Sequence, residues 1–177
     1  EKIESKIIGN VSVIEDCLKA QDLPKISNSL IFYSQPDMKN EIHETSLVSD
    51  ICDLVRKYNL ELLIRPHPGE NIENCLTLYK NIFPINFKLD KTPNMAYSLS
   101  NASIIVGFNS ASLLAANYLC IPALVYSSSY FVSSPYFNGK FYFQSKSDIE
   151  LFLDNRTNLV KNNLVHPGEM ILAYIEK

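Results

Sequence analysis

Short apolar runs alternate with amphipathic stretches along most of the chain. The runs have the length of strands and carry few polar residues, which is typical of strands buried on both faces of a parallel sheet. The stretches between them place apolar residues three and four positions apart, the spacing of one helix face. We therefore predict a doubly wound, Rossmann-like α/β domain with helices on both faces of a parallel sheet of at least five strands. The predicted strands lie at residues 30–33, 60–64, 85–89, 103–107 and 123–126.

Helices are predicted between these strands, and the two ends of the chain are less regular. The predicted helices lie near residues 47–55, 71–82, 95–99, 113–119 and 147–153, the last with Ser147 as its N-cap. Residues 166–177 are expected to form a closing helix, and the aromatic, turn-rich span 130–142 is expected to cover the sheet. The expected organisation is a linker or inter-domain segment at 1–27 and a Rossmann-like nucleotide-sugar-binding domain at 28–177.

Composition narrows the class of protein. The 177 residues are 46% hydrophobic and 20% charged, which suits one sizeable core. A net charge of -3 with mixed signs gives no basic face for nucleic acid. Widely spaced cysteines, no apolar stretch of membrane-spanning length and no signal pattern indicate a reduced, cytoplasmic protein. The chain begins at Glu1 without a Met, so we expect it to be part of a longer protein.

The first candidate site is the loop Arg-Pro-His-Pro-Gly-Glu at 65–70, which directly follows a predicted strand. Its two prolines lack a backbone N–H and bias the residues before them to extended conformation, which stiffens the loop. Arg65 offers a planar fork suited to phosphate, and His67 can donate a hydrogen bond or a proton near neutral pH. Glu70 is expected to orient the imidazole or to cap the next helix. The alternative is structural, with Arg65 at a strand end and Pro-Gly-Glu as an ordinary helix start.

The second candidate site is the sequence Gly-Phe-Asn-Ser-Ala-Ser at 107–112, which leaves one strand and opens a helix. Gly107 permits a tight turn, Ser110 and Ser112 add hydroxyl donors, and free N–H groups at a helix N-terminus favour an anion. A plain serine N-cap is the alternative. Ligands of open α/β sheets bind beyond the carboxyl ends of the strands. We therefore predict that His67 and Ser110 face one cleft and a single phosphate there.

Other motifs carry less weight. The tetrapeptide His-Pro-Gly-Glu recurs at 166–169, but it follows a polar turn instead of an apolar strand, so we expect it only to start the last helix. The sequence lacks GxGxxG, a P-loop and GxSxG, which argues against nicotinamide enzymes, nucleoside triphosphatases and serine hydrolases. Its cysteines do not have metal-ligand spacing, so no metal site is predicted.

The order of these motifs resembles a known pattern. Strand-Arg-x-His-Pro, strand-Gly-Phe-Asn-Ser-x-Ser-Leu-Leu-x-Ala and Ile-Pro-Ala-Leu-Val-Tyr resemble the C-terminal domain of bacterial surface-polysaccharide glycosyltransferases with two Rossmann-like domains, the GT-B type. The resemblance covers about residues 29–127. Within that group, sialyltransferases and polysialyltransferases share a His-Pro motif and a serine motif that hold the cytidine monophosphate of the donor. Capsule Kdo transferases and CDP-glycerol glycerophosphotransferases look similar over the same stretch.

The resemblance implies a donor site for a nucleotide-activated sugar, CMP-linked as in CMP-sialic acid, used in capsule or lipooligosaccharide synthesis. By position, His67 would bond the donor phosphate or assist its departure, and Pro68 would shape the loop. The serines at 110 and 112 would bind phosphate. No metal or other cofactor is required, because cationic and N–H donors can stabilise the phosphate charge. The further binding residues expected on physical grounds are Arg65, Glu70, Gly107 and Asn109.

The same families carry an acidic motif whose carboxylate is the general base, and this sequence has none. In those families the motif lies in an N-terminal Rossmann-like domain, so this chain alone is expected to bind the donor without transferring sugar to a glycan acceptor. The resemblance also implies peripheral association of the full-length protein with the inner face of the membrane. Three alternatives stay open: a CDP-glycerol-type phosphotransferase, a non-catalytic nucleotide-binding module and a sugar-nucleotide epimerase.

Overall fold

Six parallel strands form one sheet within the part of the chain that the structure describes. A computed structural model describes residues 19–20, 28–36, 42, 45–108, 110–127 and 141–161. The strands are β1 Ser29–Tyr33, β2 Glu61–Arg65, β3 Lys88–Leu89, β4 Ala102–Gly107, β5 Ala123–Val125 and β6 Tyr142–Phe143. Their order across the sheet is β3-β2-β1-β4-β5-β6, with every neighbouring pair parallel. The predicted parallel sheet is confirmed, and β6 is added at the end of the aromatic span.

Helices cover both faces of the sheet. They are α1 Leu47–Tyr58, α2 Ile72–Ile82, α3 Met95–Ser100, α4 Ala111–Leu119 and α5 Lys146–Lys161. Side chains of α1, α2 and α5 belong to one buried cluster, and side chains of α3 and α4 belong to the other. This arrangement confirms the predicted doubly wound α/β fold. No helix among the described residues is long and apolar enough to cross a membrane.

The start of the last described helix differs from the prediction. Ser145, not Ser147, is the capping residue, because its Oγ accepts the Asp148 backbone N–H at 3.2 Å. The hydroxyl of Ser145 in turn donates to the Asp148 carboxylate at 2.7 Å. Serine occurs at both positions, and the acidic residue three places after the first one marks the true start.

Some predicted features fall outside the described residues. These are the helix at 166–177, with its second His-Pro-Gly-Glu, the residue Asn109, residues 130–140 of the aromatic span expected to cover the sheet, and all but two residues of the segment 1–27. Within that segment Ala20 is helical and buried, and it belongs to the cluster on the α3 and α4 side.

The central strand explains why the apolar runs show no alternation. All five residues of β1 are buried. Leu30 and Phe32 pack on the side of α1 and α2, whereas Ile31 and Tyr33 pack on the side of α3 and α4. Because burial of a large apolar side chain stabilises a fold by about 1.5–3 kcal/mol, both faces favour apolar residues.

The carboxyl ends of the inner strands align in one row. Tyr33 pairs with Arg65 on one side and with Gly107 on the other, and Gly107 pairs with Val125. The strand order reverses between β1 and β4, because β1 leads to β2 on one side and β4 leads to β5 on the other. A Cβ added at Gly107 would lie 3.3 Å from the Tyr33 carbonyl oxygen, so glycine suits the close approach of these strands. Open α/β sheets bind ligands at such a reversal.

Candidate functional site

The loop at 65–70 leaves β2 at the carboxyl edge and forms a tight turn. The Glu70 backbone N–H donates to the His67 carbonyl at 2.9 Å, which closes the turn. Two of the loop's residues are prolines, so the loop offers few backbone donors of its own and restricted φ angles. The loop is therefore held mainly by side-chain bonds, which are made by Arg65, His67 and Glu70.

The Glu70 carboxylate joins the loop to β1 and α2. Its Oε2 accepts the His67 backbone N–H at 2.7 Å, and its two oxygens accept the Ser34 hydroxyl at 2.9 and 2.7 Å. Since the single hydroxyl hydrogen of Ser34 is used in that way, Ser34 accepts from the Tyr79 hydroxyl at 2.6 Å. Burial is the main cause that raises the pKa of Tyr79, so this phenol stays protonated and donates.

The two roles expected of Glu70 are both wrong. Its carboxylate bonds the backbone of His67 and not the imidazole. Asn71 caps α2 instead, because its side chain accepts the backbone N–H groups of Glu73 and Asn74, each at 3.0 Å. The Pro-Gly-Glu sequence allowed for a helix cap, but asparagine one residue later supplies a side chain of suitable length.

The imidazole of His67 is exposed and is bonded on one side only. Its Nδ1 accepts the Gly69 backbone N–H at 3.1 Å. A neutral imidazole has one donor and one acceptor nitrogen, so this bond places the proton on Nε2. Among the described residues none bonds Nε2, and the group is left as a donor at the carboxyl edge.

Arg65 is engaged by a neighbour that the sequence did not reveal. Its Nη1 donates to Asp90 Oδ2 at 2.9 Å, to Thr92 Oγ1 at 2.7 Å and to the Thr92 carbonyl at 3.3 Å. The Asp90 side chain is only 2% exposed and that of Arg65 is 19% exposed. We expected the Arg65 guanidinium to be free for a phosphate, but its Nη1 is engaged by these neighbours. The charge of Arg65 is balanced by an adjacent carboxylate.

Asp90 is the centre of a buried polar network on the α3 side of the sheet. It accepts a hydroxyl bond from Ser98 and the backbone N–H of Thr92, the latter at 3.0 Å. The Ser98 and Tyr33 hydroxyls share a hydrogen bond at 2.8 Å. Burial acts to raise the pKa of Asp90, but the bonds from Ser98, Thr92 and Arg65 outweigh it and hold that pKa below its usual range. Burial raises the pKa of Tyr33.

The serine loop after β4 behaves as a helix start. Ser110 Oγ accepts the Ser112 backbone N–H at 3.3 Å, and the Ser110 carbonyl accepts the Leu113 N–H at 3.0 Å. Ser110 is partly exposed, whereas Ser112 is buried, with 5% exposure. The hydroxyl hydrogen of Ser110 is thus the accessible donor of the pair.

The strand register brings the two predicted loops to one edge. They follow β2 and β4, the two strands that flank β1. Whether His67 and Ser110 meet at one phosphate stays a prediction. Sequence reasoning missed several polar residues at the same edge, although Ser34 and Asp90 each follow a strand directly, as the loop 65–70 does. The missed residues are Ser34, Tyr79, Asp90, Thr92 and Ser98.

Neither metal chemistry nor known relatives identify the site. Among the described residues no cluster of three or more His, Cys, Asp or Glu side chains could hold a metal ion. Comparison with protein-family models gives no match, and comparison with curated proteins gives no significant match. The function of these residues is therefore inferred from the chemistry and geometry of the carboxyl edge.

Proposed function

We propose that this chain is the donor-binding domain of a glycosyltransferase and that its carboxyl edge binds the phosphate of a nucleotide-activated sugar. One observation carries the proposal: the two donor-bearing loops flank β1, the strand beside the reversal of strand order. In doubly wound sheets this is the usual ligand position.

The spacing of the strands suits one phosphate. Arg65 and Gly107 are each paired with Tyr33, so their Cα atoms are separated by two strand spacings, or about 10 Å. A phosphate that accepts a hydrogen bond of about 3 Å on either side spans most of that gap. The donors proposed for it are His67 Nε2 on one side and the Ser110 hydroxyl, before the first turn of α4, on the other.

The charge at this edge supports a donor with a single phosphate. Arg65 is paired with Asp90, so its positive charge is balanced. Among the described residues, this edge therefore offers neutral hydrogen-bond donors more than unpaired cations. A CMP-linked sugar carries one phosphodiester charge, whereas a diphosphate-linked sugar carries two. We propose that His67 stabilises the charge that grows on the departing nucleotide phosphate during transfer.

A non-catalytic nucleotide-binding module is the second candidate, and one observation favours it. The carboxylates of Glu70 and Asp90 at this edge already accept bonds from neighbouring side chains. Each is therefore occupied in holding the fold and is poorly placed to deprotonate an acceptor hydroxyl. On the transferase hypothesis the base would belong to another domain.

Calorimetry with different nucleotides tests the proposal. The 177-residue chain is titrated with CMP, CDP, UMP, AMP and inorganic phosphate under the same salt conditions. We expect CMP to bind most tightly, because the edge offers donors for one phosphate and the resemblance to sialyltransferases implies a cytidine nucleotide. Tighter binding of CDP would favour the CDP-glycerol alternative, and equal or undetectable binding of all nucleotides would contradict a donor site.

A further inference from the structure

The His67 loop contains two bonds that act on the same residue from different directions. The Gly69 N–H donates to the imidazole Nδ1 at 3.1 Å, and Glu70 holds the His67 backbone N–H at 2.7 Å. The bond from Gly69 selects the tautomer of the imidazole, and the bond to Glu70 holds the backbone of His67. Neither bond contributes to the packing of the core, since this loop is largely exposed at 67–69.

Glu70 is itself anchored through a directed chain of hydrogen bonds. Tyr79 donates to Ser34, and Ser34 donates to Glu70, so the carboxylate receives one donor from the residue directly after β1 and one from the loop. Ser34 and Tyr79 are buried, which makes them rigid anchors for an exposed loop. Such a fully satisfied network specifies one loop geometry.

We propose that Gly69 and Glu70 are positioning residues that hold His67 in its neutral Nε2–H tautomer, with Nε2 as the hydrogen-bond donor to the ligand. The identity of the ligand, a nucleotide phosphate, rests on the proposed function. The tautomer does not, because it follows from the Gly69 bond to Nδ1, with Glu70 holding the His67 backbone in position for that bond. His67 then acts on the phosphate as a neutral donor and not as a cation.

The bond from Gly69 excludes the cationic ring in this geometry. A protonated imidazole has hydrogens on both nitrogens, and Nδ1 can then accept nothing. The charged and titratable groups around the loop include Glu70 within it, Arg65 at the end of β2 with its partner Asp90, and Cys75 and Tyr79 on α2. Tyr33 ends β1 beside them, and Ser34, directly after β1, adds a neutral hydroxyl.

Imidazole 15N NMR tests the tautomer without any ligand. In the wild-type chain under alkaline conditions, we expect His67 to show two widely separated nitrogen shifts, with the proton on Nε2. Gly69→Pro removes the N–H donor and should move the two shifts towards each other as the tautomers mix. Gly69→Ala is the matched control: its added Cβ lies 3.3 Å from Nδ1 and crowds the ring, but it keeps the N–H. Identical shifts in the wild type and Gly69→Pro, or a proton on Nδ1, would overturn the proposal.

Glu70→Gln provides a second variant with a milder change. The amide oxygen can still accept both bonds that end on Oε2, from Ser34 and from the His67 N–H, but they are no longer charge-assisted and an NH2 group replaces the second acceptor oxygen. We expect partial mixing of the tautomers and a loss of CMP affinity of roughly 2- to 12-fold, the value of one neutral hydrogen bond. In a His67→Ala background the same change should have no further effect on affinity. An undiminished loss in that background would show that Glu70 acts independently of His67.

The two readouts separate the two hypotheses. If CMP fails to bind the wild type while Gly69→Pro still mixes the tautomers, the proposed function is wrong and the positioning role stands. If CMP binds but the tautomer is unaffected by either variant, the positioning role is wrong and the donor site stands.

Discussion

The buried pair of Arg65 and Asp90 provides a sharp test of the fold at the carboxyl edge. Arg65→Met keeps the length of the side chain but removes its charge, so it leaves the Asp90 carboxylate, 2% exposed, without its cation. Breaking a buried ion pair from one side costs about 3–5 kcal/mol. Because Ser98 and Thr92 still donate to Asp90, we expect the lower end of that range, about 3 kcal/mol.

The reverse substitution should cost less. Asp90→Asn keeps one acceptor oxygen, and Arg65, which is 19% exposed, can recruit water. We expect a loss of about 1–2 kcal/mol, the range of a weakened hydrogen bond to a charged group. The double variant should cost less than the sum of the two single variants, with a coupling of about 1–3 kcal/mol.

Urea denaturation followed by circular dichroism measures these losses. With a slope m of about 2 kcal/mol/M, a loss of 3 kcal/mol moves the midpoint by about 1.5 M. Lys57→Met is a control, because Lys57 is an exposed residue that pairs with Asp154 on the surface, and such pairs contribute little. A smaller loss for Arg65→Met than for Asp90→Asn, or two losses that add without coupling while m stays constant, would show that this ion pair does not stabilise the carboxyl edge.

Three further outcomes follow from the same networks. The lowered pKa of Asp90 means that its contribution to stability is present above about pH 4 and is lost as pH falls through its folded pKa, so Asp90→Asn should flatten the acid limb of a stability-pH curve. Tyr33, Tyr79 and Tyr126 have raised pKa values, chiefly through burial, so stability should fall above about pH 10; a triple Phe variant that kept the wild-type slope would contradict this. Gly107→Ala should lower the thermal midpoint, because its Cβ would lie 3.3 Å from the Tyr33 carbonyl oxygen. An unchanged midpoint would show that β1 and β4 can move apart at little cost in stability.

The fold was predictable because local pattern and burial agree over most of the sheet. The continuous apolar character of β1 and β4 reflects burial on both faces, which a periodicity argument detects directly. The strand β6 has only two residues and half-buried side chains, so it carries too little pattern to be recognised. The helix α5 extends to Lys161 through a polar stretch whose helical state the apolar spacing did not indicate.

The candidate site was predictable only in part, because its bonds join residues far apart in sequence. The rule that ligands lie beyond strand ends identified the loop of His67 and the loop of Ser110. It did not indicate that Arg65 pairs with Asp90, 25 residues away, or that Glu70 bonds Ser34, 36 residues away. These partners depend on which strands are neighbours in the sheet, and the order of β3, β2 and β1 is a tertiary property.

The calorimetric CMP affinity of two matched histidine variants tests the proposed donor site at the carboxyl edge. His67 and His166 each begin a His-Pro-Gly-Glu tetrapeptide, so His166→Ala controls for the loss of an identical motif. We expect the wild-type chain to bind CMP, His67→Ala to weaken binding by about 1–3 kcal/mol, and His166→Ala to change it little. Equal losses in the two variants, or no binding of CMP by the wild type at millimolar concentration, would contradict the proposed donor site.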